Sequence, residues 1–203
     1  MVVLRGRTLV EHAVIRVLGS GVVDDVIVVA PPSHLAPLSG ILQQCRAVRL
    51  VGGGPTRQSS VRRGLLVLPD GADVVLVHDA ARCLAPKGLV REVVEAVRAG
   101  HPVVVPAVPV TDTIRSLDGG VVDRGRLRAV QTPQGFARDV LVRAHERTAR
   151  GADDETQAAT DDAGLVERLG VAVHLVPGDP TAFKVTTPLD LKLADAVLAG
   201  EPS

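Results

Sequence analysis

A chain of 203 residues, 46% of them hydrophobic, has enough apolar mass for one domain of ordinary size and is too apolar for a disordered polymer. Its 23 basic and 23 acidic residues cancel and its only aromatic side chains are two phenylalanines, so it has neither the basic field that holds a duplex nor the stacking platforms that hold a single strand. Two cysteines are too few for a disulfide framework or a zinc cluster, no apolar run reaches the ~18 residues of a membrane span, and the N-terminus has no signal pattern. The expectation is a cytoplasmic protein with two inert thiols, binding neither nucleic acid nor membrane.

Thr8-Leu9-Val10-Glu11 reads as a capping box, and Leu9, Val10, Ala13, Val14, Val17 and Leu18 then recur at helical spacing. Residues 25–30 form a continuous apolar strand closed by two prolines. A weaker helix over 33–44 follows, then a short strand over 47–51 that runs into Gly52-Gly53-Gly54-Pro55. A helix over 57–68 leads to the strand Val74-Val75-Leu76-Val77, which stops at His78-Asp79-Ala80-Ala81-Arg82. A helix over 89–98 and a strand over 102–107 come next. Short, valine-rich strands without polar alternation, separated by helices, are the pattern of a parallel sheet covered on both faces.

The pattern changes near Pro109. Residues 111–116 and 121–130 read as two extended limbs around Leu117-Asp118-Gly119-Gly120, a turn signal. On the second limb Arg124, Arg126 and Arg128 would alternate onto one face. Residues 109–133 are therefore expected to project as a β-hairpin arm. Helices over 140–147 and 155–169, a strand over 171–176 and a helix over 188–198 complete the chain. The fold class is α/β, a Rossmann-like, doubly wound and mostly parallel sheet in a single domain over 1–203. Such a domain normally opens with a strand and a Gly-rich turn, whereas this chain starts almost on its first helix. The first strand is expected to be absent.

Ligands of open α/β sheets bind beyond the carboxyl ends of the strands. Asp79 stands at such an end with Arg82 close behind, which suits a polyhydroxyl ligand or a divalent cation and an anion. Lys184 follows an extended segment and precedes a helix, where an ammonium can neutralise developing phosphate charge. Gly53, Gly54 and Ser60 sit between a strand and a helix, where backbone N–H groups are free; taken alone they form a plain loop with a serine cap. Thr160-Asp161-Asp162-Ala163 reads as a polar helix segment. The six histidines show no metal spacing.

In this order, Gly53-Gly54-x-x-Arg57-x-x-Ser60-Val61, Val77-His78-Asp79-Ala80-Ala81-Arg82, Asp112-Thr113-Ile114, Arg124, Gln131-Thr132-Pro133-Gln134, Thr160-Asp161-Asp162-Ala163 and Lys184-Val185-Thr186 resemble the 2-C-methyl-D-erythritol 4-phosphate cytidylyltransferases of the non-mevalonate isoprenoid pathway. The resemblance implies CMP transfer from CTP to methylerythritol phosphate, with Mg²⁺, in a homodimer built through the arm. It implies Gly53, Gly54 and Ser60 at the nucleoside, Asp79 at ribose and metal, and Lys184 at the α-phosphate. It implies Arg82, Thr113, Arg124, Thr132 and Thr160 at the second substrate, with Thr113, Arg124 and Thr132 reaching it across the dimer interface. Family members open with a strand and a Gly-rich, triphosphate-cradling turn that these 203 residues lack. The expectation is a chain cut short at its start, with one central strand missing, apolar surface exposed and two ladder edges open. Cys83, Pro55 and Arg115 are smaller departures. The alternatives are a ribitol- or other sugar-phosphate cytidylyltransferase, and a remnant that folds and dimerises without catalysis.

Overall fold

The structure, a computed structural model, describes residues 1–45, 47–154, 156, 159 and 161–200. It opens on a hairpin of β1 (Val3–Leu4) and β2 (Arg7–Thr8), which turns through Arg5 and Gly6 at φ of 48° and 79°. Strands this short carry no readable alternation, so the sequence pattern does not reveal them. The capping box forms as expected at α1 (Leu9–Leu18): the Thr8 hydroxyl accepts from the Glu11 N–H, and the Glu11 carboxylate accepts from the Thr8 N–H. β3 (Val26–Ala30), α2 (Leu35–Leu42) and β4 (Val48–Gly52) form a parallel unit. α3 (Arg57–Leu65) leads to β5 (Val74–Val77), and α4 (Lys87–Arg98) to β6 (Val103–Pro109).

The arm departs in part from expectation. β7 (Ile114–Arg115) and β8 (Val121–Val122) pair as the expected hairpin, with Gly119 and Gly120 at positive φ in its turn. The second limb is not continuously extended. Asp123 accepts a hydrogen bond from the Gly125 N–H and caps a 3-10 turn over Arg124–Arg126, so a local bond displaces the ladder there. Arg124, Arg126 and Arg128 consequently do not alternate along one strand. β9 (Arg128–Val130) resumes the extended path and pairs antiparallel with the end of β6.

β10 (Gln134–Ala137) is a central strand absent from the sequence reading. It lies between β5 and β6 and is antiparallel to both, so those two run in the same direction with β10 reversed between them. A β-carbon on Gly135 would stand 2.5 Å from Val93 and 3.0 Å from Val97, so glycine here lets α4 pack directly on the sheet. α5 (Arg138–Arg147) follows. α6 covers Asp162–Glu167, starting where Asp161 accepts the Gly164 N–H rather than near residue 155, which lies outside the described residues. β11 (His174–Pro177) adds in parallel to β6, and α7 (Pro188–Gly200) ends the fold.

Side-chain alternation makes this a three-layer α/β structure. Val75, Val77, Val103, Val105 and Phe136 point to one face, against Leu141 of α5 and Val166 of α6. Leu76, Val104 and Val176 point to the other, against Val93 and Val97 of α4. Among the described residues β3 pairs only with β4, and β5 only with β10. A cavity of about 640 Å³ lies along both strands and is walled by apolar side chains including Val14 of α1 and Val61 and Leu65 of α3. Among the described residues one edge of β3 and one edge of β5 therefore carry no partner strand beside this cavity. One end of the cavity reaches Arg57, Ser60 and Asp79.

Candidate active site

β5 is apolar through Val77, and the chain then turns sharply: the Arg82 N–H bonds the Asp79 carbonyl at 2.8 Å. The Asp79 carboxylate is thereby left at the strand tip. From far along the chain, the Val185 N–H bonds the Ala81 carbonyl at 2.8 Å and brings Lys184 alongside. The Lys184 ammonium meets Asp79 Oδ2 at 3.0 Å. The two residues singled out from distant parts of the sequence thus meet at one strand tip. Burial pushes the Asp79 carboxyl up, but the hydrogen bond and charge of Lys184 and the charge of Arg57 outweigh it and hold it below the usual carboxylate range.

The glycine loop sits at the same end of the sheet. The Gly53 N–H bonds the Ala30 carbonyl at 2.8 Å, and the Gly54 N–H bonds Ser60 Oγ at 3.1 Å. A β-carbon at Gly53 would stand 2.9 Å from Ser60 Oγ, and one at Gly54 would collide with Ser59. The loop is closed onto α3 by its own serines, and Thr56 caps the helix in a second box with Ser59.

Arg57, the first residue of α3, is the group that sequence reasoning left without a role. Its Nε donates to Asp79 Oδ1 at 3.3 Å and its NH1 to Asp162 Oδ2 at 2.6 Å. The other oxygen of Asp162 meets His145 Nε2 at 2.8 Å. Burial alone would lower the Arg57 pKa, but Asp162 and Asp79 reverse this and raise it. A continuous run of polar contacts therefore leads from the core to the strand tip. Asp162 and His145 have side chains 1% and 2% exposed, Arg57 31% and Lys184 47%. Arg57 appeared in a recognised motif, but its partners are 22 and 105 positions away. The available signal for Asp162 was a second acid opening a helix whose other residues are mostly apolar.

The remaining expected residues fall into two groups. Thr132 is buried under the site: its hydroxyl accepts from the Asp79 N–H at 3.0 Å and lies 2.9 Å from His78 Nδ1. Arg82 donates to the Ala182 and Val130 carbonyls at 2.9 and 3.1 Å, tying the Lys184 segment to the base of the arm. Thr113 and Arg124 are exposed on the arm, Arg124 bonding the Thr111 carbonyl of the same arm. Thr160 lies outside the described residues. Cys83 is buried with its thiol pushed up by burial, as an inert cysteine should be.

No group of three or more potential metal ligands occurs among the described residues. One ionised carboxylate fits Mg²⁺, which is commonly held by one or two carboxylates and substrate phosphates. The site therefore combines a carboxylate, an ammonium and a guanidinium at a strand tip, which is equipment for phosphate chemistry.

The family model for 2-C-methyl-D-erythritol 4-phosphate cytidylyltransferase matches residues 1–200. The chain belongs to this family. A cytidylyltransferase of that name from Nocardia farcinica is 50% identical over 198 residues, covering 95% of this chain and 82% of the Nocardia protein. One from Rhodococcus jostii is 49% identical, covering 96% of this chain and 84% of its own length. The crystal structure of the Thermus thermophilus enzyme is 39% identical with a TM-score of 0.83, covering 97% of this chain and 91% of that one. The protein is accordingly a cytidylyltransferase that moves CMP from CTP to 2-C-methyl-D-erythritol 4-phosphate, releasing pyrophosphate.

Proposed function

We propose that this cytidylyltransferase works in the cytoplasm as a Mg²⁺-dependent homodimer, with Lys184 and Asp79 as its catalytic pair. The observation that carries the reading is the 3.0 Å contact between Lys184 and Asp79, two residues from distant parts of the chain at one strand tip. An oxygen of the acceptor 4-phosphate attacks the α-phosphorus of CTP, and the bond to the β-phosphate breaks to release pyrophosphate. Negative charge grows on the α-phosphoryl oxygens, where Lys184 stabilises it. Bound Mg²⁺ would neutralise phosphate charge beside Asp79. Gly53, Gly54 and Ser60 contact the nucleoside, and Asp79 also contacts its ribose. Arg82 and Thr160 take the acceptor phosphate and hydroxyls. Thr113, Arg124 and Thr132 serve the same substrate at the interface formed by arm 109–133, Thr132 by way of Asp79. The exposure of Thr113 and Arg124 on the arm supports a role completed by a second copy.

The test is steady-state kinetics with CTP, methylerythritol phosphate and Mg²⁺. Lys184→Ala should lower kcat by about 10²–10³ and leave KM for CTP nearly unchanged. Equal damage to both parameters would remove Lys184 from the transition state. Run in competition, ribitol phosphate should turn over more slowly than methylerythritol phosphate; the reverse would reassign the acceptor.

A further inference from the structure

We propose that Arg57 and Asp162 are positioning residues for Asp79, with His145 as their anchor in the core. The proposal rests on the assignment of Asp79 to the nucleotide site and adds the machinery that aims it.

The anchor begins on α5. His145 is buried, and its Nε2 faces Asp162 Oδ1 at 2.8 Å. Asp162 is the first residue of α6, immediately after the Asp161 cap. A buried carboxylate is costly unless its oxygens are satisfied, and both of these are. The second oxygen receives Arg57 NH1 at 2.6 Å. Arg57 is itself fixed at the start of α3 by the Thr56 box, and Thr56 is further held by its hydroxyl on the Ala152 carbonyl.

A guanidinium presents a planar fork with donors on more than one edge. Arg57 spends one edge on the buried carboxylate and offers Nε to Asp79 Oδ1 at 3.3 Å. The inner contact is the shorter and the drier, so the core sets the orientation of the fork and the fork sets Asp79. Oδ2 of Asp79 faces Lys184 instead. The carboxylate is thus split: one oxygen is held from inside, and the other remains for exchange between Lys184 and a cation. A lysine at position 57 could not do this, because one ammonium lacks the fork.

The competing explanation is a plain structural clamp between α3, α5 and α6. Asp162→Asn and Arg57→Lys separate the two. Four quantities are read: melting temperature, kcat, KM for CTP, and the Mg²⁺ concentration giving half-maximal rate. In the ligand-free protein, hydrogen exchange of the Arg57 Nε–H is followed by ¹⁵N NMR. Both variants should lower kcat about 10–100-fold and raise the Mg²⁺ requirement by a similar factor, the size of effect known for outer partners of metal-binding groups. KM for CTP should move less than about threefold. Arg57→Lys should keep its melting temperature while losing rate. Asp162→Asn should speed the Arg57 Nε–H exchange at least about tenfold as the inner anchor weakens.

A rate loss that follows melting temperature, with the Mg²⁺ requirement unmoved, would leave only the clamp and overturn the proposal. So would unchanged Nε–H exchange in Asp162→Asn. If Asp162→Asn fails to fold, Arg57→Lys decides alone. If the unsubstituted chain does not turn over CTP, the site assignment fails separately, and the exchange measurement still rules on the link from core to Asp79.

Discussion

His78 adjoins the site carboxylate yet carries no charge at neutral pH. Burial pushes its pKa down to about 4, although the neighbouring Asp79 pulls the other way. The hydrogen-bond pattern accommodates that state: Thr132 Oγ1 accepts the Asp79 N–H and still has its own proton to give to His78 Nδ1, 2.9 Å away. The linkage follows directly. Between pH 6.5 and about 4 the unfolded chain takes up a proton that the folded chain refuses, so stability falls as pH falls through that window and is complete above it. The loss, when complete, is on the order of 3 kcal/mol. Urea unfolding between pH 4 and 7 should show this slope, and His78→Gln should flatten it; an unaltered slope in the variant would place the titration elsewhere. At this scale the sequence was legible where chemistry coincides with a strand end, as at Asp79, or with the approach to a helix, as at Lys184. It was opaque where a role depends on distant partners, as for Arg57, or where a carboxylate is buried, as for Asp162.

Elements were legible in proportion to their apolar period. α4 buries Leu89, Val90, Val93, Val94 and Val97, a clean helical stripe, and its position was evident. β10 was invisible because Gln134-Gly135-Phe136-Ala137 has neither β-branched residues nor alternation, and its glycine is needed for α4 to approach. What fixes β10 in place is polar. Gln134 is buried; its Nε2 donates to Asp161 Oδ2 at 2.9 Å and its Oε1 accepts the Ala163 N–H at 3.3 Å. One amide thus ties the central antiparallel strand to the start of α6, next to Asp162. Gln134→Leu would leave these partners buried without it, which costs about 2 kcal/mol. A melting temperature lower by roughly 4–8 °C is expected for a chain of this length. A shift under about 1 °C would mean that water replaces the amide and that apolar packing alone seats β10.

At the scale of the molecule, the covered faces and the open seam have different consequences. The sheet around β10 is sealed by α4 on one side and by α5 and α6 on the other. Between β3 and β5, side chains of α1, α3 and the flank of α4 line about 640 Å³ with no strand among the described residues to fill it. The walls are the apolar side chains that a continuous sheet would bury, so the seam should admit an apolar probe. An anilinonaphthalene dye should brighten on the native protein at pH 7 without denaturant. Val61 of α3 lines the cavity and is only partly buried in the core. Val61→Phe adds apolar volume into that space, and filling a cavity of this kind contributes about 1 kcal/mol. The variant should lose most of the dye signal and melt about 2–4 °C higher. A native protein that leaves the dye dark, or a Val61→Phe variant that melts lower while still binding it, would mean that β3 and β5 close on one another in solution and the seam does not persist.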